Sequence, residues 1–365
     1  MPEGHTIHRL AAALSELYVG RRLRTSSPQG RFSDGAARLD NQILLGAEAH
    51  GKHLFLAFGP QPDMPLEAET VVWLRIHLGL YGSWTFDGDS AFTAPHAIGA
   101  PRRRVGDRGE HALRHGGGSA LAGLSGSNGS DDSDGDADGA PAPGQWSPPE
   151  PRGAVRLRLL GEHGVADLTG PAACELLNAE EVAAVHGRLG PDPLRADADP
   201  DEFVAGAQRR RKAVGELLMD QSVISGVGNI FRAETLLRCG INPFLEGNRL
   251  SREQLLAIWD DLVPLMEYGV ATGFITTVDP DDVPQPLPDD DPEAGRWYVY
   301  HRAGRACLRC GRSVCEREVV GRRLFWCPGC VVRVLSGVMG VNLQGGGVIC
   351  VLPPDGMGHE GWGTC

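Results

Sequence analysis

Four cysteines near the end of the chain have a spacing that could hold a metal ion. Cys307 and Cys310 form one CxxC pair, and Cys327 and Cys330 form a second pair after sixteen intervening residues. Two such pairs can supply four thiolates in the tetrahedral geometry that structural zinc prefers. A chance cluster or a redox pair is the alternative, and Cys315 lies between the pairs without a CxxC partner. The spacing therefore predicts one structural Zn²⁺ ion.

The N-terminus places a possible nucleophile next to a possible acid. Because Pro2 is a small second residue, we expect removal of Met1, which would leave a free secondary amine on Pro2. An α-amino group has a pKa of about 8, so a useful fraction is neutral and nucleophilic near neutral pH. Its attack on a sugar C1′ would give a cationic iminium, and Glu3 could protonate the sugar ring oxygen. Alone the pair is weak evidence, since proline is an ordinary second residue.

A glycine-rich turn precedes a predicted helix in residues 220–229. The turn contains Gly226 and Gly228, and the helix is expected to begin at about Asn229. A helix N-terminus reached through such a turn can offer unpaired backbone N–H groups to a phosphate. An ordinary turn between two helices is the simpler interpretation, so this segment gains weight only beside other signs of nucleic-acid binding.

The elements that must position these residues fall into a β-rich part followed by a helical part. Helical spacing predicts a helix over residues 4–18. Strand-like patterns are predicted at 41–47, 53–58, 71–76, 82–86, 154–160 and 164–168. Helices are predicted at 170–177, from about 200, and at 211–220, 230–239 and 251–268, the last with Ser251 as its cap.

Low-complexity segments set the predicted domain boundaries. Of residues 111–150, 24 of 40 are Gly, Ser, Asp or Pro, which leaves too little apolar surface to offset chain entropy. We therefore predict a disordered insertion over about 87–151, inside one β-rich domain that covers residues 2–189. The remaining predicted parts are a helical domain at 190–278, an acidic linker at 279–295, the four-cysteine element at 296–330 and an irregular tail at 331–365.

The net charge of −12 argues at first sight against a nucleic-acid binder. The acidic surplus is local, because residues 87–151 hold ten acidic and five basic residues, and residues 279–295 hold seven acidic residues and no basic one. By contrast, residues 296–330 hold eight Arg and two Glu. Arginines fixed on a small scaffold suit phosphate contact, although a merely soluble surface would have the same composition.

Neither a membrane span nor a secretion signal is expected. No apolar run approaches the roughly 18 residues that a span requires, and the N-terminus lacks a long apolar stretch. The sequence therefore predicts a cytoplasmic protein.

Taken together, five motifs resemble the formamidopyrimidine-DNA glycosylase and endonuclease VIII family of base-excision repair enzymes. They are PEGHTIH at the N-terminus, HGKHLFLAF at 50–58, HLGLYGSW at 77–84, DQSVISGVGNIFRAE at 220–234 and the cysteine element that ends in FWCPGC. The resemblance implies an α+β multidomain fold with an N-terminal two-layered β-sandwich behind a helix, a helix-two-turn-helix domain and a C-terminal four-Cys zinc finger. DNA would bind in the cleft between the two halves.

The resemblance also implies roles for single residues. Pro2 would be the Schiff-base nucleophile, Glu3 the proton donor, and Lys52 a phosphate contact that assists near the sugar. Asn229 would bind the phosphates that flank the lesion. Glu234 would help to order the cleft, or would form an ordinary helix salt bridge.

Two further elements would contact DNA. Leu80 and Tyr81 resemble the intercalating loop of the endonuclease VIII branch, although Gly79 departs from the polar residue that often leads this loop. Leu80 could instead pack inside the sandwich. Arg322 stands where the finger of the family carries its phosphate-gripping arginine, and a shift of one residue would give that role to Arg323.

The predicted function is that of a bifunctional DNA glycosylase and abasic-site lyase that removes oxidised bases, with pyrimidines favoured. It would act on damaged DNA as a monomer, and would cleave the strand by β,δ-elimination. One structural Zn²⁺ ion is expected, without an organic cofactor, because the covalent intermediate is itself the electron sink. The alternatives are an oxidised-purine glycosylase of the formamidopyrimidine branch and a non-catalytic zinc-finger DNA-binding protein on the same scaffold.

Overall fold

The structure, a computed structural model, describes residues 2–100 and 146–331, which form two compact units. Unit 1 takes in Leu10–Glu48 and His53–Val182. Unit 2 takes in Pro2–Arg9, Ala49–Lys52 and the described chain from Ala183 onward. Two short segments of the β-rich part therefore belong with the helical part. Most of the predicted insertion and almost all of the predicted tail lie outside the described residues.

Unit 1 is built on nine strands. They are β1 (Arg22–Ser26), β2 (Gln42–His50), β3 (His53–Gly59), β4 (Val72–His77), β5 (Ser83–Gly88), β6 (Ala97–Gly99), β7 (Val155–Leu160), β8 (Gly164–Thr169) and β9 (Ala173–Leu177). Their spatial order is β6-β5-β8-β7-β1-β2-β3-β4-β9. Strand β1 pairs antiparallel with β2 and with β7, so it joins the two halves of the predicted β-sandwich.

Three helices accompany these strands. They are α1 (Gly4–Tyr18), α2 (Ser33–Leu39) and α3 (Ala179–His186). The predicted helix over residues 4–18 is confirmed, and it buries Ile7, Leu10 and Leu14 along one face, as the spacing requires. Strand β3 is buried over six consecutive residues, which places it in the middle of the sheet.

One predicted helix is wrong, because residues 170–177 contain strand β9 instead. Its residues pair antiparallel with β4, from Trp73 opposite Leu177 to His77 opposite Ala173. Gly170 has a φ of 60°, a turn conformation that precedes the strand. A short apolar run fits a helix or a strand equally well in sequence, and here pairing along the edge of β4 decides the outcome. The sequence patterns also missed β1, β6, α2 and α3.

Unit 2 combines helices with a terminal hairpin. The helices are α4 (Pro200–Gln208), α5 (Val214–Leu217), α6 (Asn229–Arg238) and α7 (Arg252–Thr272), and the hairpin strands are β10 (Cys315–Val319) and β11 (Arg322–Trp326). Short 3-10 turns lie at Gly247–Arg249, Pro280–Asp282 and Pro292–Gly295. Ser251 caps α7, as predicted, in a capping box with Gln254. The helix predicted over 211–220 is limited to the single turn of α5.

The helices and the hairpin of unit 2 share one hydrophobic core. This core includes Phe231 of α6, Trp259 of α7, Phe325 of β11, and Tyr298 from the segment before the hairpin. The hairpin is thus packed on the helices and is not an appended module. Among the described residues, none of the helices combines the length and the apolar character that a bilayer span requires.

Candidate functional site

The carboxylate of Glu3 lies at the N-terminus of helix α6. It accepts hydrogen bonds from the backbone N–H groups of Ile230 at 2.9 Å and Gly228 at 3.1 Å, with a longer one from Phe231 at 3.5 Å. The side chain is only 1% exposed. A carboxyl group in this position satisfies donors that a helix leaves unpaired. The expectation that these N–H groups are open to a phosphate is therefore wrong, because Glu3 occupies them.

Glycines make this close approach possible. A Cβ atom on Gly228 would lie 2.3 Å from the Glu3 Cδ, which no real side chain tolerates. The N–H of Gly4 donates to the carbonyl of Gly226 at 2.8 Å, and a Cβ on Gly4 would lie 2.7 Å from the Gly226 Cα. Gly226 itself has a φ of 86°, which favours glycine. The glycines of the turn thus hold the N-terminal segment against α6.

Glu3 and Lys52 influence each other electrostatically. Burial raises the pKa of the Glu3 carboxyl above its ordinary value, against the opposing effects of the Lys52 ammonium and the Ile230 N–H. Burial lowers the pKa of the Lys52 ammonium; Glu3 opposes this change, and the positive charges of Arg322 and Arg232 add to it. The site therefore favours a protonated acid and a neutral amine more than water does. Pro2, which carries the predicted nucleophile, lies partly buried next to Glu3 in the chain.

The turn that carries Lys52 is held by Asp192, a residue whose role the sequence did not indicate. The Gly51 N–H donates to Asp192 Oδ2 at 2.7 Å, and His8 Nε2 lies 2.7 Å from the same oxygen. The N–H of Leu194 donates to Asp192 Oδ1 at 3.0 Å. Burial raises the pKa of Asp192, but these bonds and the His8 charge outweigh it, so the pKa lies below its ordinary value. Asp192 thus links the turn that carries Lys52 to His8 of helix α1.

Asn229 docks the hairpin onto helix α6. Its Nδ2 donates to the carbonyl of Arg323 in β11 at 2.9 Å, and its Oδ1 accepts from Arg232. Arg232 also donates to the Arg323 carbonyl at 3.2 Å and to the Gly215 carbonyl at 3.3 Å. The Asn229 side chain is therefore engaged within the protein, and its predicted contact with phosphate stays a prediction.

Arg232 is a site residue that sequence reasoning missed. It is 1% exposed, and burial lowers its pKa to about 10, with Glu3 opposing and Arg322 adding to the change. A buried arginine is costly unless it is paired. The available signal was its place three residues after Asn229, on the same face of the predicted helix.

The two candidate phosphate-binding arginines of the hairpin have different surroundings. The positive charge of Arg322 acts on both Lys52 and Arg232, so this charge lies near these two groups. The side chain of Arg323 is 59% exposed and makes an ion pair with Glu316 at 3.3 Å. These positions favour Arg322 as the residue beside the reacting groups.

Glu234 anchors the segment that leads to the hairpin. Its Oε1 accepts from the N–H groups of Val299 at 2.9 Å and Tyr300 at 2.8 Å, and its Oε2 accepts from the Tyr298 N–H at 2.7 Å and from the Thr277 hydroxyl. The side chain is fully buried, and burial raises its pKa against these hydrogen bonds. The alternative of a helix salt bridge is wrong, since its partners are neutral backbone and hydroxyl groups.

The four predicted cysteine ligands come together at one point. All four Sγ atoms, those of Cys307, Cys310, Cys327 and Cys330, lie within 4.8 Å of one another. The Sγ atoms of Cys307 and Cys330 are 3.7 Å apart, and those of Cys310 and Cys327 are 3.3 Å apart. Tetrahedral zinc–thiolate bonds of about 2.3 Å imply sulfur separations of about 3.8 Å. The cluster therefore fits a single metal ion.

The predicted wedge residues lie on a turn of unit 1. Leu80 is 41% exposed and Tyr81 is 78% exposed, whereas Leu78 is buried. Gly82 closes the turn by donating to the Leu78 carbonyl at 3.0 Å. The alternative that Leu80 packs in the sandwich is not supported, because Leu80 is among the exposed large apolar residues. The predicted intercalation itself stays a prediction.

Comparison with known proteins finds the same family in both units. Residues 1–110 match the formamidopyrimidine-DNA glycosylase N-terminal domain, and residues 189–280 match the formamidopyrimidine-DNA glycosylase H2TH domain. Endonuclease 8 1 of Mycobacterium tuberculosis is 37% identical over 330 residues, 90% of this chain and 99% of that protein. Formamidopyrimidine-DNA glycosylase of Xanthomonas campestris pv. campestris is 37% identical over 145 residues, 39% of this chain and 51% of that protein.

Solved structures share the fold. A complex of the Lactococcus lactis Fpg with DNA that contains an abasic site has a TM-score of 0.59 at 18% identity, and covers 91% of this chain and 100% of that chain. A complex of the same enzyme with DNA that contains an oxidised pyrimidine has a TM-score of 0.59 over the same shares. At this identity the likeness concerns the fold alone.

Proposed function

The chain belongs to the formamidopyrimidine-DNA glycosylase and endonuclease VIII family, and we propose from this that it excises oxidised pyrimidines from DNA and cleaves the abasic strand. The observation that carries the proposal is the buried carboxyl of Glu3, whose pKa is raised, one residue from the predicted nucleophile Pro2. A general acid needs its proton near neutral pH, and burial favours that state.

The reaction uses groups at the N-terminus. The lone pair of the Pro2 nitrogen attacks C1′ of the flipped nucleotide while Glu3 protonates the sugar ring oxygen. The bond from C1′ to the base breaks, and the base leaves with the bonding electrons and takes up a proton. The bond from C1′ to the protonated ring oxygen also breaks, which opens the sugar and leaves a hydroxyl group at C4′. The Pro2 nitrogen loses its own proton, and its lone pair then forms the second bond to C1′ of the iminium. Flipping is required because the sugar atom is not reachable inside a duplex stack.

The iminium then drives strand cleavage. It acidifies the C2′ proton, whose removal expels the 3′ phosphate, and a second elimination expels the 5′ phosphate. Lys52, with its lowered pKa, contacts a phosphate and assists near the sugar in this scheme. No cofactor-derived group is needed for either elimination, since the iminium holds the electrons.

Recognition of DNA depends on four of the predicted residues. Arg322 and Asn229 grip the phosphates that flank the lesion, and Leu80 and Tyr81 fill the space that the flipped base leaves. Burial of these exposed side chains offsets part of the cost of unstacking, a few kcal/mol. Glu234 supports the arrangement by holding the segment before the hairpin. The protein acts as a monomer on damaged DNA.

The metal of the four-cysteine site is Zn²⁺ in this proposal. Four thiolates from two CxxC turns are the donor set that structural zinc prefers, and the sulfur distances fit it. When bound, the ion crosslinks the two turns at the base of the hairpin. It supplies no group to the reaction.

The choice of pyrimidines over purines has two lines of support. The match to Endonuclease 8 1 covers 99% of that protein, whereas the match to the formamidopyrimidine-DNA glycosylase of Xanthomonas campestris pv. campestris covers 51%. The exposed Leu80 and Tyr81 also fit the loop of the endonuclease VIII branch.

Borohydride trapping tests the function. The native protein, incubated with a duplex that contains thymine glycol and then reduced, should form a covalent adduct with DNA, and a protein whose Pro2 nitrogen is blocked by a retained Met1 should form none. A duplex with 8-oxoguanine in place of thymine glycol should give less adduct. DNA binding without any adduct would instead favour the non-catalytic zinc-finger protein, and a preference for 8-oxoguanine would favour the purine branch.

A further inference from the structure

The tip of the β10–β11 hairpin is a two-residue turn with an unusual sequence. Val319 pairs with Arg322 as the last pair of the ladder, so Val320 and Gly321 form the loop. Their φ angles are 49° and 67°. Positive φ at both positions defines a type I′ turn, for which Asn-Gly is the preferred sequence. Here a valine takes the place of the asparagine.

Val320 is unfavourable in the free protein for two separate reasons. A β-branched residue with positive φ is a rare, strained conformation, because its Cβ approaches the backbone carbonyl. Its side chain is also 75% exposed, which makes it one of the two most exposed large apolar residues among those described. A polar residue that accepts positive φ would remove both penalties. Backbone strain of this kind clusters at ligand-contacting positions, which makes the exposed Val320 a candidate contact residue.

The surroundings of the tip indicate what it contacts. A Cβ on Gly321 would meet nothing within 4 Å, so the tip projects into open space. Two arginines directly follow the turn: Arg322 is half-buried, and the side chain of Arg323 is 59% exposed. The partner must therefore combine negative charge with apolar patches a few ångströms apart. The deoxyribose faces and phosphates that line a DNA groove have this combination.

We propose that Val320 is a DNA-contacting residue, which packs against deoxyribose in a groove of the bound duplex while Arg322 holds the adjacent phosphate. The proposal rests on the proposed DNA-repair function and adds a specific apolar contact to it. Burial of the Val320 side chain on DNA compensates for its exposure and strain in the free protein. Val320 thus lowers the stability of the hairpin and raises the affinity for DNA.

Two substitutions at this position separate affinity from folding. Val320→Asn relieves the strain and removes the apolar surface, and Val320→Thr keeps the β-branched shape but replaces a methyl group by a hydroxyl. Both proteins, purified with their metal, are titrated onto a duplex that carries a tetrahydrofuran abasic-site analogue, which the enzyme cannot cleave. Leu287→Asn, in the acidic linker, is the control for loss of an exposed apolar residue elsewhere.

The expected result is a dissociation constant about tenfold higher for Val320→Asn and a smaller increase for Val320→Thr. The melting temperature of Val320→Asn should equal or exceed that of the native protein, and Leu287→Asn should bind like the native protein. An unchanged dissociation constant in Val320→Asn would overturn the proposal. Failure of the proposed function is tested separately, by borohydride trapping at saturating protein. Absence of trapping in the native protein would refute the proposed function and not the contact of Val320.

Discussion

At the scale of single residues, the state of Glu3 controls the chemistry. The carboxyl accepts two N–H groups at 2.9 and 3.1 Å, yet burial still raises its pKa. Helix N-termini ordinarily favour the charged form, so desolvation outweighs the helix here. Because the Glu3 carboxyl is shielded from water, which would stabilise its charged form, it retains the proton that the reaction needs.

The pH dependence of base excision should reveal this proton. Glu3 must be protonated to act, so excision is present below its pKa and is lost as pH rises through it. Because burial raises that pKa above 4.5, the alkaline limb should lie at higher pH than for an ordinary carboxyl. Glu3→Gln should lower excision of thymine glycol about 10²-fold to 10⁴-fold, with no such limb.

The control is the reaction with a preformed abasic site, whose open-chain aldehyde needs neither departure of a base nor protonation of a ring oxygen. Single-turnover rates measured over a pH series should show the limb for thymine glycol and not for the abasic duplex. Excision by Glu3→Gln at the native rate would rule out this role of Glu3.

The adjacent arginines of β11 form a matched pair for a test of phosphate binding. Arg322 faces Lys52, whereas Arg323 pairs with Glu316 at the surface. Arg322→Ala should weaken binding to lesion DNA and reduce the slope of log K against log salt by about 0.9, the value for one phosphate contact. Arg323→Ala should leave the slope nearly unchanged. The reverse pattern, measured by titration at several salt concentrations, would assign the contact to Arg323.

At the scale of elements, the site depends on segments that are distant in the chain. The turn between β2 and β3 carries Lys52, and Asp192 holds it through the Gly51 N–H at 2.7 Å. The same carboxylate contacts His8 in α1. Its position after the predicted β-rich domain was visible in sequence only as a Gly-Pro-Asp-Pro segment, without a hint of its partners.

Loss of this carboxylate should misplace Lys52 without unfolding the protein. Asp192→Ala leaves the Gly51 N–H and His8 without their shared acceptor, and a shift of about 1 Å in a reacting group can lower a rate about 10²-fold. We expect adduct formation on abasic DNA to slow about tenfold to hundredfold. Asp197→Ala, at a side chain that is 69% exposed, should react normally. Equal rates for the two variants would contradict a positioning role for Asp192.

Helix α6 also controls the segment that precedes the hairpin. Glu234 accepts three backbone N–H groups from Tyr298, Val299 and Tyr300. Glu234→Ala removes all of these acceptors from a buried site, which should lower the free energy of unfolding by about 2–4 kcal/mol. Urea denaturation measures this, and hydrogen exchange at the three amides should accelerate. Glu267→Ala, at an exposed position of α7, is the control and should change neither.

Local pattern predicted some elements well and failed for others. Helix α1 was predictable because its apolar residues recur at helical spacing over fifteen residues. Strand β9 was not, because its five residues gain their conformation from pairing with β4. The cysteine cluster was predictable because ligand spacing is imposed by the metal itself.

At the scale of the whole molecule, the two structural units do not follow the order of the chain. Pro2–Arg9 and Ala49–Lys52 belong to unit 2 although their neighbours in sequence form the sheet of unit 1. Glu3, Lys52, Asn229 and Arg322 therefore meet within one unit. Motif order in sequence indicated which residues matter, but not that they share a unit, since such contacts depend on tertiary packing. The buried Arg232 and Asp192 were missed for the same reason.

The net charge of the whole chain is a poor guide to what the protein binds. The net charge of −12 conceals an element at 296–330 with eight Arg and two Glu, and it is this element that places Arg322 and Val320 at the hairpin tip. An acidic chain can therefore bind DNA, because the local charge of the binding surface, and not the net charge of the chain, governs the interaction.

The central claim is that the Pro2 nitrogen forms the covalent bond to DNA, and Lys52 is its natural competitor because burial lowers the pKa of the Lys52 amine. The direct measurement is mass spectrometry of peptides from the borohydride-reduced adduct with abasic DNA. We expect the sugar remnant on a peptide that begins at Pro2, with Met1 removed. A remnant on Lys52, or adduct formation by a protein that retains Met1, would contradict the mechanism.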